Sequence, residues 1–147
     1  MHYWEVVPLE SIGPVQLGMS QEEVRAVLGE PSYIEQAYER WGIAFPDKDC
    51  FFRNAFQVSY NRDMRADFIE VSKSQDFIAT YEGLEVHTTP APELVRAIFR
   101  RAAFDENNRE HPVNYWFPKL YLNLYRSDGD FEFFDTIGIC TPDFGSE

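Results

Sequence analysis

Leu17-Gly18-Met19-Ser20-Gln21-Glu22-Glu23-Val24-Arg25-Ala26-Val27-Leu28-Gly29-Glu30-Pro31 carries the clearest local signal in the chain. Ser20 stands at an N-cap position with Glu23 three residues on, the spacing of a capping box in which each side chain satisfies the other residue's orphan amide. Val24, Val27 and Leu28 recur at helical spacing. Gly29 supplies a left-handed terminator and Pro31 prevents resumption. A helix this short needs a surface to pack on. Val15 to Met19 before it reads as a short strand. After it, Phe56-Gln57-Val58-Ser59-Tyr60 and Asp67-Phe68-Ile69-Glu70-Val71 alternate apolar and polar residues, as half-buried strands do. Asn61 to Asp63 joins them as a turn, which predicts an antiparallel hairpin.

A second stretch has the same order. Leu84-Glu85-Val86-His87-Thr88 reads as a strand, with Thr89 as an N-cap and Pro90 at the first helical position, where its missing donor costs nothing. Leu94, Val95, Ile98 and Phe99 form an apolar stripe, and Arg96, Arg100 and Arg101 fall late, where cations suit the helix dipole. Leu120 to Tyr125 and Thr136 to Cys140 then supply two further strands around an Asp128-Gly129-Asp130 turn. The reading is a single domain over residues 1–147 with an internal repeat, 9–75 and 76–147. The fold class expected is α+β: tandem β-α-β-β units merged into one antiparallel sheet, with the helices packed on one face. Tyr3 to Val7 is expected as a lead-in strand and Trp41 to Phe45 as another. Pro46 to Asp49 reads as a turn, and Tyr33 to Arg40 as a short helix or an irregular segment. Phe77 to Tyr81 and Leu84 to Thr88 read as a hairpin or as one kinked strand.

An antiparallel sheet can leave its second face to water. Gln57, Ser59, Glu70, Tyr121, Asn123 and Tyr125 fall on that face, and with Trp41 they form the candidate partner-binding set. Aromatics make up 16% of the chain, with eight Tyr and three Trp. These rings carry a polar end and favour surfaces and interfaces over sealed cores.

The net charge is −12, from 25 acidic and 13 basic residues. Such a field repels nucleic-acid phosphates and anionic lipid, and speeds encounter with a basic protein. It also serves solubility. No basic leader or long apolar run is present, so the expected location is the cytoplasm and no membrane span is expected. Cys50 and Cys140 are too few and too far apart for a disulfide framework or a zinc site, and are read as reduced apolar residues.

Motifs for chemistry are missing. His2, His87 and His111 have no neighbours at metal-ligand spacing, and His87 reads as a hydrogen-bonded structural histidine. Asp143-Phe144-Gly145 matches a kinase triplet by letters alone. The sequence has no nucleophile elbow and no phosphate loop. Asp47, Asp49, Asp67 and Glu70 are the nearest candidates for paired catalytic carboxylates, without a partner or pocket visible in the sequence.

The stretch from Gly13 to Pro31 resembles the start of the BamE (SmpA/OmlA) family of outer-membrane assembly lipoproteins, in which a Leu-Gly-Met-Ser/Thr run opens a helix ending in Leu-Gly-x-Pro. The apparent duplication is similar to that of the β-lactamase inhibitor protein group, tandem helix-plus-sheet units that bind their target through an open sheet face. The resemblance implies a continuous sheet and a protein-binding role. The lipidation cysteine, the export signal and the inhibitor's disulfide pattern are missing, and the second stretch lacks Leu-Gly-Met. Shape alone carries over.

The function expected is therefore a non-catalytic protein-binding module, such as an acidic immunity or inhibitor protein that masks a basic partner, without cofactor or metal. The alternative is a small-ligand or carbohydrate binder that stacks its ligand on Trp41, Tyr121 or Tyr125.

Overall fold

The computed structural model describes residues 1–108 and 110–144, and of residues 43–45 the backbone alone. Strand β1 (His2–Val7) turns back through the short β2 (Ser11–Ile12) and β3 (Val15–Gln16). Gly13, between β2 and β3, holds φ +56°, and a Cβ there would stand 2.5 Å from the Trp4 ring. Only glycine meets both demands.

Helix α1 (Gln21–Leu28) begins as its sequence dictates. The Glu23 amide donates to Ser20 Oγ at 3.1 Å, and the Ser20 amide donates to Glu23 Oε1 at 2.9 Å. Gly29, at φ +85°, donates its amide to the Arg25 carbonyl and ends the helix. Of the predicted apolar face only Val24 is buried, and Val27 is 47% exposed.

Residues 33–51 form strands joined by short connections. They form β4 (Tyr33–Glu35), β5 (Tyr38–Arg40), β6 (Ile43–Phe45) and β7 (Lys48–Phe51). The expected turn at Pro46–Asp49 therefore yields to a strand from Lys48. The hairpin of β8 (Phe56–Tyr60) and β9 (Ala66–Ser72) alternates buried and half-buried residues as read from sequence. Strand β10 (Phe77–Tyr81) pairs with β11 (Leu84–Glu85) as a hairpin. Helix α2 (Ala91–Phe99) starts one residue later than expected: Pro90, not Thr89, is the cap, and no side chain bonds there. Leu94 and Ile98 are fully buried, whereas Phe99 is 46% exposed. Strands β12 (Asn114–Phe117), β13 (Leu122–Tyr125) and β14 (Thr136–Cys140) complete the chain.

The expected architecture is overturned. The molecule is mostly β, 39% strand and 12% helix, rather than an α+β tandem of β-α-β-β units with helices covering a face. The physical reason is size. Helices of 8 and 9 residues span about 12–14 Å. A seven-stranded sheet is about 30 Å wide. Much of the covering apolar surface comes from strands. Seven strands, in the order β12-β13-β14-β9-β8-β7-β4, form an antiparallel sheet. Its seam is β9 with β14, where Val71 faces Ile137 and Ile69 faces Ile139. Five more strands, in the order β11-β10-β1-β2-β3, make a second sheet, antiparallel except for the parallel pair β1 and β10. Val6, Ile12, Val15, Phe77, Ala79 and Tyr81 of the second sheet share one core with Phe56, Ile69, Val71, Leu122, Leu124 and Ile137 of the first. The Trp4 ring sits 4.7 Å from Phe77 and 5.6 Å from Phe56 across this junction. Val24 and the inner residues of α2 (Ala91, Leu94, Ala97 and Ile98) join that core.

Candidate functional site

Strand register decides which side chains share a face, because successive residues point to opposite sides. Across the seven-stranded sheet, Val58, Ile69, Ile139, Leu122 and Phe117 stand in one row, and Phe56, Val71, Ile137, Leu124 and Tyr115 in the next. These rows face the core, and every residue in them except the half-buried Tyr115 is buried. The alternate rows lie on the other side. One runs Tyr33, Cys50, Gln57, Glu70, Gly138, Asn123, Trp116. A second runs Glu35, Lys48, Ser59, Phe68, Cys140 and continues to Tyr121, whose carbonyl accepts the Cys140 amide at 3.0 Å. A third holds Ser72, Thr136, Tyr125 and Asn114.

Six of the seven residues named from sequence therefore share this face: Gln57, Ser59, Glu70, Tyr121, Asn123 and Tyr125. Trp41 does not. It sits in the turn between β5 and β6 at φ +54°, 82% exposed, with the Arg40 guanidinium 4.4 Å over its ring. The sequence reading passed over Trp116, whose ring meets Tyr121 edge-on at 5.9 Å, and over Phe68, which Phe144 contacts at 4.9 Å. The Asn114-Tyr115-Trp116-Phe117 run beside an alternating strand was the available signal for Trp116.

The polar chemistry of the face is uneven. Lys48 Nζ donates to Gln57 Oε1 at 3.3 Å and lies 3.5 Å from Glu35. Gln57 Nε2 donates to the Asn54 carbonyl. The Asn123 amide donates to Asn114 Oδ1. Glu70 stands apart: among the described residues it makes no hydrogen bond and no ion pair. Desolvation pushes its carboxyl above the ordinary range, and the charge of Lys48 offsets this only in part. Beside it, Gly138 is covered by the Phe68 ring. A Cβ there would come within 3.1 Å of the Phe68 ring. Cys50 and Cys140 are free and buried, and burial raises both thiols, Cys140 to about 11, so neither is poised as a nucleophile at neutral pH.

The four carboxylates considered for catalysis are not equivalent. Asp49 is fully buried and taken: Arg25 grips it through Nε at 3.0 Å and Nη2 at 2.9 Å, and the Tyr60 hydroxyl donates at 2.9 Å. Asp47 accepts the Ala37 amide, Asp67 is buried at the seam, and Glu70 lies on the open face. Among the described residues no group of three or more His, Cys, Asp or Glu gathers where a metal ion would bind. His87 is half-buried, and its Nε2 has no hydrogen-bond partner among the described residues. No helix among the described residues is long and apolar enough to cross a membrane. Compared with known proteins, the chain matches no family model, no curated protein and no solved structure.

Proposed function

We propose that this chain is a non-catalytic protein-binding module that works in the cytoplasm as an acidic inhibitor or immunity protein, covering a basic partner with the open face of its seven-stranded sheet. The observation that carries the reading is Glu70. A desolvated carboxylate that makes no hydrogen bond or ion pair among the described residues, on a face that also carries Phe68, Tyr121 and Trp116, is a place for a cation from another molecule. An arginine or lysine there completes a charge-assisted pair on a face that also carries aromatic side chains, residue types common in interface hot spots. The net charge of −12 steers a basic protein toward it.

The test is a paired capture from lysate, with wild-type chain and a Glu70→Lys variant, at low and high salt. Support is a basic protein bound by the wild type, weakened by salt and lost on Glu70→Lys, with binding restored by a reciprocal acidic substitution on that partner. Equal capture by both chains, or capture only of neutral and acidic proteins, ends the proposal. The second reading, a carbohydrate or small-ligand platform, is favoured by the exposure of Trp41. It predicts quenching of tryptophan fluorescence by sugars, lost in Trp41→Ala.

A further inference from the structure

The core-facing side of the same sheet carries a second feature, at its β12 end. Tyr115 stands in register with buried Leu124, so its ring lies on the side opposite Glu70. Together with α2 it borders an open groove of about 350 Å³, within the size range of small-ligand sites. The walls are Val95 and three rings: Phe99 meets Phe104 edge-on at 5.7 Å, and Phe104 meets Tyr115 at 5.0 Å. Two arginines, Arg96 and Arg126, complete the lining.

In so acidic a chain these two arginines should have carboxylate partners, yet neither forms an ion pair among the described residues. Arg96 is exposed on α2. Arg126 is only 8% exposed. Its Nε donates to the Pro112 carbonyl at 3.1 Å and its Nη1 to the Phe131 carbonyl at 2.7 Å, and its guanidinium lies 5.1 Å from the Phe134 ring centroid. Those neutral contacts hold the group in place without cancelling its charge. Among the described residues Nη2 meets no hydrogen-bond partner, and it keeps contact with solvent. A buried cation held by carbonyls alone is costly, and an incoming anion relieves the cost.

We infer that this groove is a binding site for a small organic acid with an apolar body, its carboxylate between Arg96 and Arg126 and its tail against Val95, Phe99, Phe104 and Tyr115. The apolar walls exclude simple inorganic anions as the best fit. The arginines exclude neutral hydrocarbons. The chain's overall negative field opposes any anion at a distance, so selectivity must come from the local pair of cations inside the groove.

The experiment is a titration of the whole chain followed by aromatic and methyl NMR shifts. The probes are 4-phenylbutyrate and octanoate, each beside its uncharged alcohol, 4-phenylbutan-1-ol and octan-1-ol. The expected result is saturable binding of at least one acid, with shifts centred on Val95, Phe99, Phe104 and Tyr115, and binding of its alcohol at least about tenfold weaker. Arg96→Gln, at an exposed helix position that leaves the fold intact, should weaken the acid about three- to tenfold and leave the alcohol unchanged. Val95→Trp, which fills the groove, should remove both. Equal affinity for acid and alcohol overturns the inference. So does an unchanged acid affinity in Arg96→Gln, saturation of neither acid by roughly 10 mM, or shifts mapping elsewhere.

Discussion

Replacing Arg25 by methionine should cost far more than its partly exposed place on α1 suggests. The reason is the asymmetry of its pair. Asp49 is fully buried and holds three donors, two from Arg25 and one from Tyr60. The Arg25 side chain keeps 27% of its surface in water. Removing the arginine strands a carboxylate with one hydroxyl, and breaking a buried pair in this way costs about 3–5 kcal/mol. Unfolding entropy for 147 residues is about 0.3 kcal/mol per degree, so the melting point should fall by about 10–15 °C. Asp49→Asn should cost less, about 1–2 kcal/mol, since the freed guanidinium can turn to solvent and the amide still accepts from Tyr60. The double variant Arg25→Met, Asp49→Leu should recover much of the loss, because no charge is left without its partner. Thermal melts by circular dichroism, checked by urea denaturation, give all three values. An Arg25→Met chain melting within about 3 °C of wild type, or a double variant as unstable as Arg25→Met alone, would refute the reasoning.

Three further outcomes are expected. Burial lowers the His87 imidazole to about 4. A base depressed below its ordinary 6.5 carries stability that is complete above that pH and is lost as the pH falls toward 4, because the unfolded chain takes up the proton first. Urea titrations at pH 7.5 and 4.5 should show a loss on the order of 2–3 kcal/mol that is absent from His87→Gln; an identical loss in both chains would assign it to other groups. Glu70 has the opposite sign: its raised carboxyl favours the folded state at low pH and opposes it once ionised, so Glu70→Gln should melt higher than wild type at pH 7 while binding the basic partner less tightly. Gly13→Ala should destabilise by about 2–4 kcal/mol, the sum of left-handed strain and a clash with the Trp4 ring; co-substituting Trp4→Leu should return part of it, and no return would locate the strain in the backbone alone.

What was legible in the sequence was local. The capping box of Ser20 and Glu23 and the stop at Gly29 need only neighbours in the chain, and they appear as read. So does the alternation of Phe56 to Tyr60 and Asp67 to Val71, within the β8–β9 hairpin, which put Gln57, Ser59 and Glu70 on one face before any pairing was known. Pairing between distant segments was not legible. Nothing in Tyr3-Trp4-Glu5 announces a parallel partner at Ile78 to Thr80, and without that partner the second sheet disappears and the helices receive too much of the covering role. The position of Trp41 apart from the other six residues was not legible for a related reason. Its exposure follows from a two-stranded ribbon, β5 with β6, that stands apart from both larger sheets, and short alternations cannot distinguish that from a strand within them. The Arg96 and Arg126 groove was invisible because α2 and β13 are brought together only by the fold.

The place of β1 has a consequence for biosynthesis. It lies between β10 and β2, and His2 takes Phe77 as its register partner. Strand β1 thus cannot be completed until β10, made much later in synthesis, follows it out of the ribosome. Until then Val6, Trp4 and the apolar residues of β2 and β3 have no parallel neighbour to settle against, and closing so long a loop slows the event further. The nascent protein passes a long interval with a sticky, half-paired strand, and escorting factors that shield such strands would govern its yield more than its final stability does.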